Sequence, residues 1–336
     1  MNTNDPRALI SSSPMSMLQI IAVAITIGLN GLDGFDVLAI SFASPGIAAD
    51  WGINPAQLGF VLSMELIGMA VGSLVLGPLA DKIGRRPLML GCLVLMATGM
   101  FMATTAKGMY DLSAWRILTG LGIGGLLAAI NAVAAEFSNL KRRHLSVSIM
   151  AIGYPVGAVL GGIVVSHLLK GQTWRSVFYF GSICTVAFIP LVYAFVPESV
   201  HWLARKQPAG ALDRINRILK RMRHPPVSSL PAISDDVRKR SAADLFAPGL
   251  IATTILVAIA YFFHVTTFYF VLKWVPKIVV NMGFPASSAA GVLVWANVGG
   301  AIGGSGMRVD FANAQLKLIN QRIEALSEYL KQSTGN

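Results

Sequence analysis

The stretch Gly77-Pro78-Leu79-Ala80-Asp81-Lys82-Ile83-Gly84-Arg85-Arg86-Pro87 sets a dense basic turn directly between two long apolar segments. Such a turn marks the water-facing edge of a pair of membrane helices. Outward from it, the 336 residues are 54% hydrophobic and only 13% charged, with a mean hydropathy of +0.63. That balance excludes an ordinary soluble enzyme and makes the bilayer the expected solvent. The net charge of +11 does not point to nucleic acid, because the basic residues gather in short loops instead of covering one face. Cys92 and Cys184 lie inside apolar runs and read as small buried hydrophobes, with neither metal-ligand nor disulfide spacing.

A spanning helix needs about 20 mostly apolar residues. Eight such runs are expected, near 17–46, 57–79, 87–106, 112–136, 146–169, 174–196, 249–280 and 286–304. The breaks after the second and fourth runs hold Lys82/Arg85/Arg86 and Lys141/Arg142/Arg143, and ten Lys or Arg fall between 197 and 248. The breaks after the odd-numbered runs hold almost none. The positive-inside rule therefore puts residues 1–16 and the even-numbered loops in the cytoplasm. The run after Met17 is longer than a signal-peptide core, so the first span is expected to stay in the mature protein. Residues 197–248 read as a basic linker with a short helix around 209–223 lying on anionic headgroups.

Self-comparison at an offset of 231 residues pairs Pro45 with Pro276, Gly52 with Gly283, Val61-Leu62 with Val292-Leu293, and Gly68 to Gly72 with Gly299 to Gly303. Spans seven and eight thus repeat spans one and two, as in transporters that build a site between repeated bundles. The repeat stops near Gly304: Asp81 would meet Ala312 and Arg85 would meet Leu316. Residues 305–336 instead read as an amphipathic helix with Leu316, Ile319, Ile323, Leu326 and Leu330 on one face. Either that helix docks or self-associates, or a shifted reading frame joins a transporter fragment there.

Asp33 and Asp36 lie three apart inside the first span, on one helix face that Thr26 and Asn30 extend. An ionisable residue there is costly unless it faces a cavity or a partner. Two acids in a medium of low dielectric resist being ionised together, so one can hold a proton and release it when the cavity floods. The bland alternative places both at a solvated outer mouth. Arg116, followed by Gly120, Gly122, Gly124 and Gly125, either attracts a carboxylate or snorkels to the outer surface. Glu136 is about 30 Å from Arg116 along the helix and is expected to join a latch with Arg142 or Arg143. In the basic turn, Asp81 can pair with a neighbouring Arg or cap a helix, and Gly84 permits the tight turn. Gly153-Tyr154-Pro155-Val156-Gly157 with Gly161-Gly162 allows close packing of the fifth span. Glu65 is a further acid within a span. His264 holds the repeat position of Asp33, among Phe262, Phe263, Phe268, Tyr269 and Phe270, and is a candidate substrate or proton ligand. No metal, nucleophile-elbow or phosphate-loop motif occurs, so neither a cofactor nor catalysis is expected.

The turn at 77–87, the Arg116 glycine motif and the Gly153–Gly162 motif together resemble the major facilitator superfamily from about Leu18 to Gly304. Within it, Asp33-Gly34-Phe35-Asp36, the Asn131–Glu136 end of the fourth span, Pro197-Glu198-Ser199, and Tyr269 with Trp274-Val275-Pro276 are similar to the aromatic acid:proton symporter family. The resemblance implies an all-α membrane fold of twelve helices in two six-helix bundles. Here it gives a complete first bundle at 17–196 and two helices of the second at 249–304. It further implies inward carriage of an aromatic carboxylate, such as a hydroxybenzoate, with protons across the inner membrane. By that resemblance Asp33 and Asp36 match the essential acids, Asp81 and Arg85 the gating loop, and Arg116 the fourth-helix arginine. The residues themselves add Gly77, Gly84 and Arg86 to the loop, Glu136 as its latch partner, and Asn30, Arg116 and His264 as candidate substrate ligands. A transport-inactive membrane protein, or a carrier of another organic acid or a sugar, remains open on the sequence.

Overall fold

The computed structural model describes residues 5–231, 250–285 and most of 287–298. Seven of its helices are long and apolar enough to cross a membrane: α2 (Met17–Trp51), α3 (Pro55–Ile83), α4 (Arg85–Ala103), α5 (Met109–Glu136), α6 (Arg143–Leu168), α7 (Arg175–Phe195) and α10 (Ile251–Asn281). Each begins and ends within a few residues of its expected run. The eighth run is helical at 287–288, 291–295 and 297–298. The tail at 305–336 and the linker residues 232–249 lie outside the described residues.

Local chemistry sets the helix ends. Ser16 and Gln19 form a capping box at the start of α2, and Asn54 and Gln57 form another at the start of α3, where Pro55 fits the first turn. α2 stops at Gly52, which adopts φ +60°, and Gly283, its repeat mate, turns the chain after α10 with φ +92°. Pro45 and Pro276 both lie inside their helices. The offset of 231 residues thus joins positions of like backbone geometry.

α2 packs on α6 and α7, α5 on α3 and α4, and α10 lies against α2. Two of these contacts are close approaches of backbone. A methyl group on Gly120 or Gly124 would strike the carbonyls of Glu65 or Met69, and one on Gly68 or Gly72 those of Ile117 or Leu121. Gly34 and Gly157 bring α2 and α6 together in the same way. Small residues substitute here for the hydrophobic drive that lipid removes. The outer faces stay apolar, with Leu74 76% and Leu160 59% exposed, as a helix solvated by lipid requires.

Three shorter helices gather at the end of the bundle that carries Arg85. α1 (Pro6–Ser12) packs on α8 (Val200–Lys206), and α8 on α9 (Ala211–Arg221). Among its described residues the linker holds two short helices where one was expected, and another forms at Pro6–Ser12. Both unforeseen helices are seven residues long, too short for their periodicity to register. α9 turns Ile215, Ile218 and Leu219 into the bundle's apolar core and exposes Arg214, Arg217 and Lys220. Its apolar face is covered by protein, which leaves only the basic face open.

Candidate functional site

Asp33 and Asp36 are completely buried on α2 where the two apolar cores of the bundle meet. The solvated-mouth alternative is therefore set aside. None of their four carboxyl oxygens has a hydrogen-bond partner among the described residues. The polar stripe below them is packed rather than open: Asn30 Nδ2 donates to Met150 O on α6 at 2.7 Å, and Thr26 Oγ1 to its own helix at Val23 O.

Arg116 does not reach the surface; it is fully buried. Its guanidinium pairs with Glu65 on α3, donates to Asp36 O at 3.0 Å, and lies 5.3 Å from the centroid of the Phe178 ring. The other oxygen of Glu65 accepts from Lys273 Nζ on α10 at 2.7 Å, and the same ammonium donates to Val37 O. Glu65 thus joins one cation from the six-helix bundle to one from beyond the linker. A buried pair of this kind is weak evidence for stability, but removing one partner costs about 3–5 kcal/mol because the other charge is stranded. The sequence reading passed over Lys273. Its signal was plain: a single lysine within Phe270-Val271-Leu272-Lys273-Trp274-Val275-Pro276, an otherwise apolar run. His264, by contrast, lies exposed two turns earlier on α10, stacked on Phe268 at 6.4 Å, and is not brought to the acids.

A second constellation closes the basic end. Arg85 pairs with Asp81 at 3.0 Å and with Glu136 at 3.1 Å, and donates to Ala80 O at 3.0 Å. This corrects the expected partners of Glu136, Arg142 and Arg143. α4 begins beside the end of α5, so Arg85 meets Glu136 there, whereas the chain turns away through 137–142 before Arg143 starts α6. The Asp81 side chain is 59% exposed and that of Glu136 only 18%, so the Glu136 contact is the stronger of the two. Arg86 donates to Tyr193 O and stacks 4.9 Å from that ring's centroid. Gly84 takes φ +104°, a conformation almost confined to glycine, and a Cβ there would strike the carboxyl of Glu198. Gly77 is in ordinary contact with its surroundings.

Glu198 caps α4 from a distance. Its Oε1 accepts from Arg85 N at 2.9 Å and from Ser199 N at 2.8 Å. Burial pushes its carboxyl above the ordinary range, against the pull of those amides and of Arg85. His201, half-buried near Glu136, Arg143, Arg7 and Asp5, is pushed below its ordinary value by desolvation. Among the described residues no cluster of His, Cys, Asp and Glu could hold a metal.

The arrangement is a buried charged layer at the helix interface and an ion-paired cluster around Arg85 at one end. The gallate transporter of Pseudomonas putida is 28% identical over 304 residues, covering 89% of this chain and 67% of that protein. The 4-hydroxybenzoate transporter PcaK of Acinetobacter baylyi is 30% identical over 294 residues, covering 85% of this chain and 64% of that one. The chain thus spans about two thirds of the length of these relatives. The Escherichia coli xylose transporter XylE, in a partially occluded inward open conformation, superposes with a TM-score of 0.65 at 18% identity, over 84% of this chain and 71% of that one. The family model for the Major Facilitator Superfamily matches residues 24–313, and with the fold and these relatives it shows that the chain belongs to that superfamily of membrane transporters.

Proposed function

We propose that the chain carries an aromatic carboxylate, hydroxybenzoate-like, inward across the bacterial inner membrane with protons, by alternating access. The observation that carries the proton half is the pair of buried carboxyls, Asp33 and Asp36, with no hydrogen-bond partner among the described residues. A lone buried carboxylate is far more expensive than the neutral acid, so these are sites where a proton can be taken up and given back. Arg116, beside Asp36, supplies attraction for an anion. The cargo half is supported by the relatives, which include gallate and 4-hydroxybenzoate transporters. The Asp81–Arg85–Glu136 latch would hold the cytoplasmic side closed in one access state, and the basic loops support a cytoplasmic N-terminus.

Uptake of labelled 4-hydroxybenzoate into proteoliposomes under an imposed proton gradient tests this reading. Wild type should accumulate label, and Asp33→Asn should abolish accumulation. Unlabelled benzoate should compete, whereas succinate and xylose should not. Gradient-driven uptake that survives unchanged in Asp33→Asn overturns the coupling role, and absence of uptake by inserted, folded protein overturns transport.

A further inference from the structure

Glu65 has the geometry of a built-in substitute for a ligand carboxylate. One of its oxygens meets the Arg116 guanidinium and the other meets the Lys273 ammonium. Arg116 and Glu65 are fully buried, and the Lys273 side chain is 4% exposed. Aromatic groups surround the clamp. The Phe178 ring lies beneath the guanidinium, and the phenols of Tyr154 on α6 and Tyr269 on α10 face each other close enough to act on Glu65. Among the described residues the remaining titratable neighbours are Asp36 and, beyond it, Asp33 on α2. Two buried cations cannot lose their counter-charge without a large desolvation cost. An incoming carboxylate can therefore bind them only where it takes over the contacts of Glu65, and Glu65 can release them cheaply only as a neutral acid.

Resting on the aromatic-carboxylate reading above, we propose that Arg116 and Lys273 form the binding site for the substrate carboxylate, with Glu65 as the resident anion that substrate displaces by exchange. The proton goes to a carboxyl oxygen of Glu65, the ion pairs from Arg116 and Lys273 break, and the same two groups donate to the substrate carboxylate. One proton and one anion enter together, so the charge of the buried layer is the same before and after. Lys273 comes from α10 and Arg116 from α5, so the exchange would also pass the link between the two parts of the chain from a side chain to the substrate.

Calorimetric titration of the full chain in nanodiscs with 4-hydroxybenzoate, in two buffers of different ionisation enthalpy, tests this. Wild type should take up about one proton per ligand bound, so that affinity rises as pH falls. Glu65→Gln should bind 4-hydroxybenzoate with that uptake lost and with affinity flat in pH. Lys273→Gln leaves Glu65 paired with Arg116 and should weaken 4-hydroxybenzoate about tenfold or more, the scale of a lost charge-assisted contact, while Lys273→Arg retains binding. If Glu65→Gln does not fold, Glu65→Gln/Lys273→Gln removes one charge of each sign and reads the same proton number. Wild-type proton uptake in the Glu65 variants, or unchanged affinity in Lys273→Gln, overturns the exchange and leaves the cargo reading standing. No saturable binding to folded wild type overturns the cargo reading and the exchange with it.

Discussion

Glu198 lies 113 residues from Arg85 in sequence, yet its carboxyl sits on the first amide of α4. An anion at a helix N-terminus is favourable, so this contact ties the end of α7 to the start of α4. Its burial has a pH signature. In the unfolded chain the group titrates near its ordinary value of 4.5, and in the folded protein it titrates higher. Between those two values the folded state binds more protons, so the stability contributed by this group falls as pH rises through the window and is level above it. His201 runs the other way, its depressed titration adding stability as pH rises toward 6.5. Comparing wild type with Glu198→Gln isolates the first effect. From about pH 4.5 upward, the melting temperature of wild type in detergent should fall relative to that of the variant; a difference that is constant in pH would contradict the assignment. At this scale the sequence was legible where a charge interrupts an apolar run, as at Asp33, Asp36 and Arg116. It was silent on partners. Glu136 meets Arg85 and not Arg142 or Arg143 because helix ends far apart in the chain are adjacent in space.

The α3–α5 pair shows how packing of elements places chemistry. Glu65 and Arg116 meet because Gly120 presses against the backbone of α3 at Glu65 itself, and Gly68 against the backbone of α5 at Ile117. A side chain at Gly120 forces the helices apart, and overpacking of this kind costs about 1–3 kcal/mol or more. Gly91, on α4, has nothing within 4 Å of where a Cβ would stand. Gly120→Leu should therefore lower thermal stability in detergent clearly, while Gly91→Leu should leave it within about 0.5 kcal/mol of wild type. An equal loss in both variants would mean that the seam does not set the response. The seven long helices were readable because a span announces itself by length and hydropathy. α1 and α8 were not, since a seven-residue helix on the rim is held by tertiary contacts, such as Leu140 N to Ser11 O at 2.9 Å, and not by its own pattern.

As a whole, the molecule has one end crowded with basic side chains and short helices, and another closed by the contacts of Trp174 and Arg175 with Asp50. The charge bias predicts which end faces the cytoplasm. With Cys92 and Cys184 replaced by Ala, Gly171→Cys should react with a membrane-impermeant maleimide added outside spheroplasts, and Ala209→Cys only after permeabilisation; the reverse pattern would invert the topology. The fold of the whole was legible from one turn and one internal repeat, because both constrain the order of many helices at once. The charged layer was only half legible, because Lys273 and Glu65 gain meaning from each other's position. Arg85, finally, is held at four points: Asp81, Glu136, the carbonyl of Ala80 and, through its own amide, Glu198. Loss of any one leaves the rest keeping the partners at high effective concentration, so the broken contact reforms before the groups diffuse apart. The charge-assisted contacts contribute about 1.5–3 kcal/mol each and the exposed Asp81 pair less, so the loss of one leaves most of the hold in place. Under the alternating access proposed above, this end would open by the rare coincidence of several small failures, with its timing governed by their joint probability.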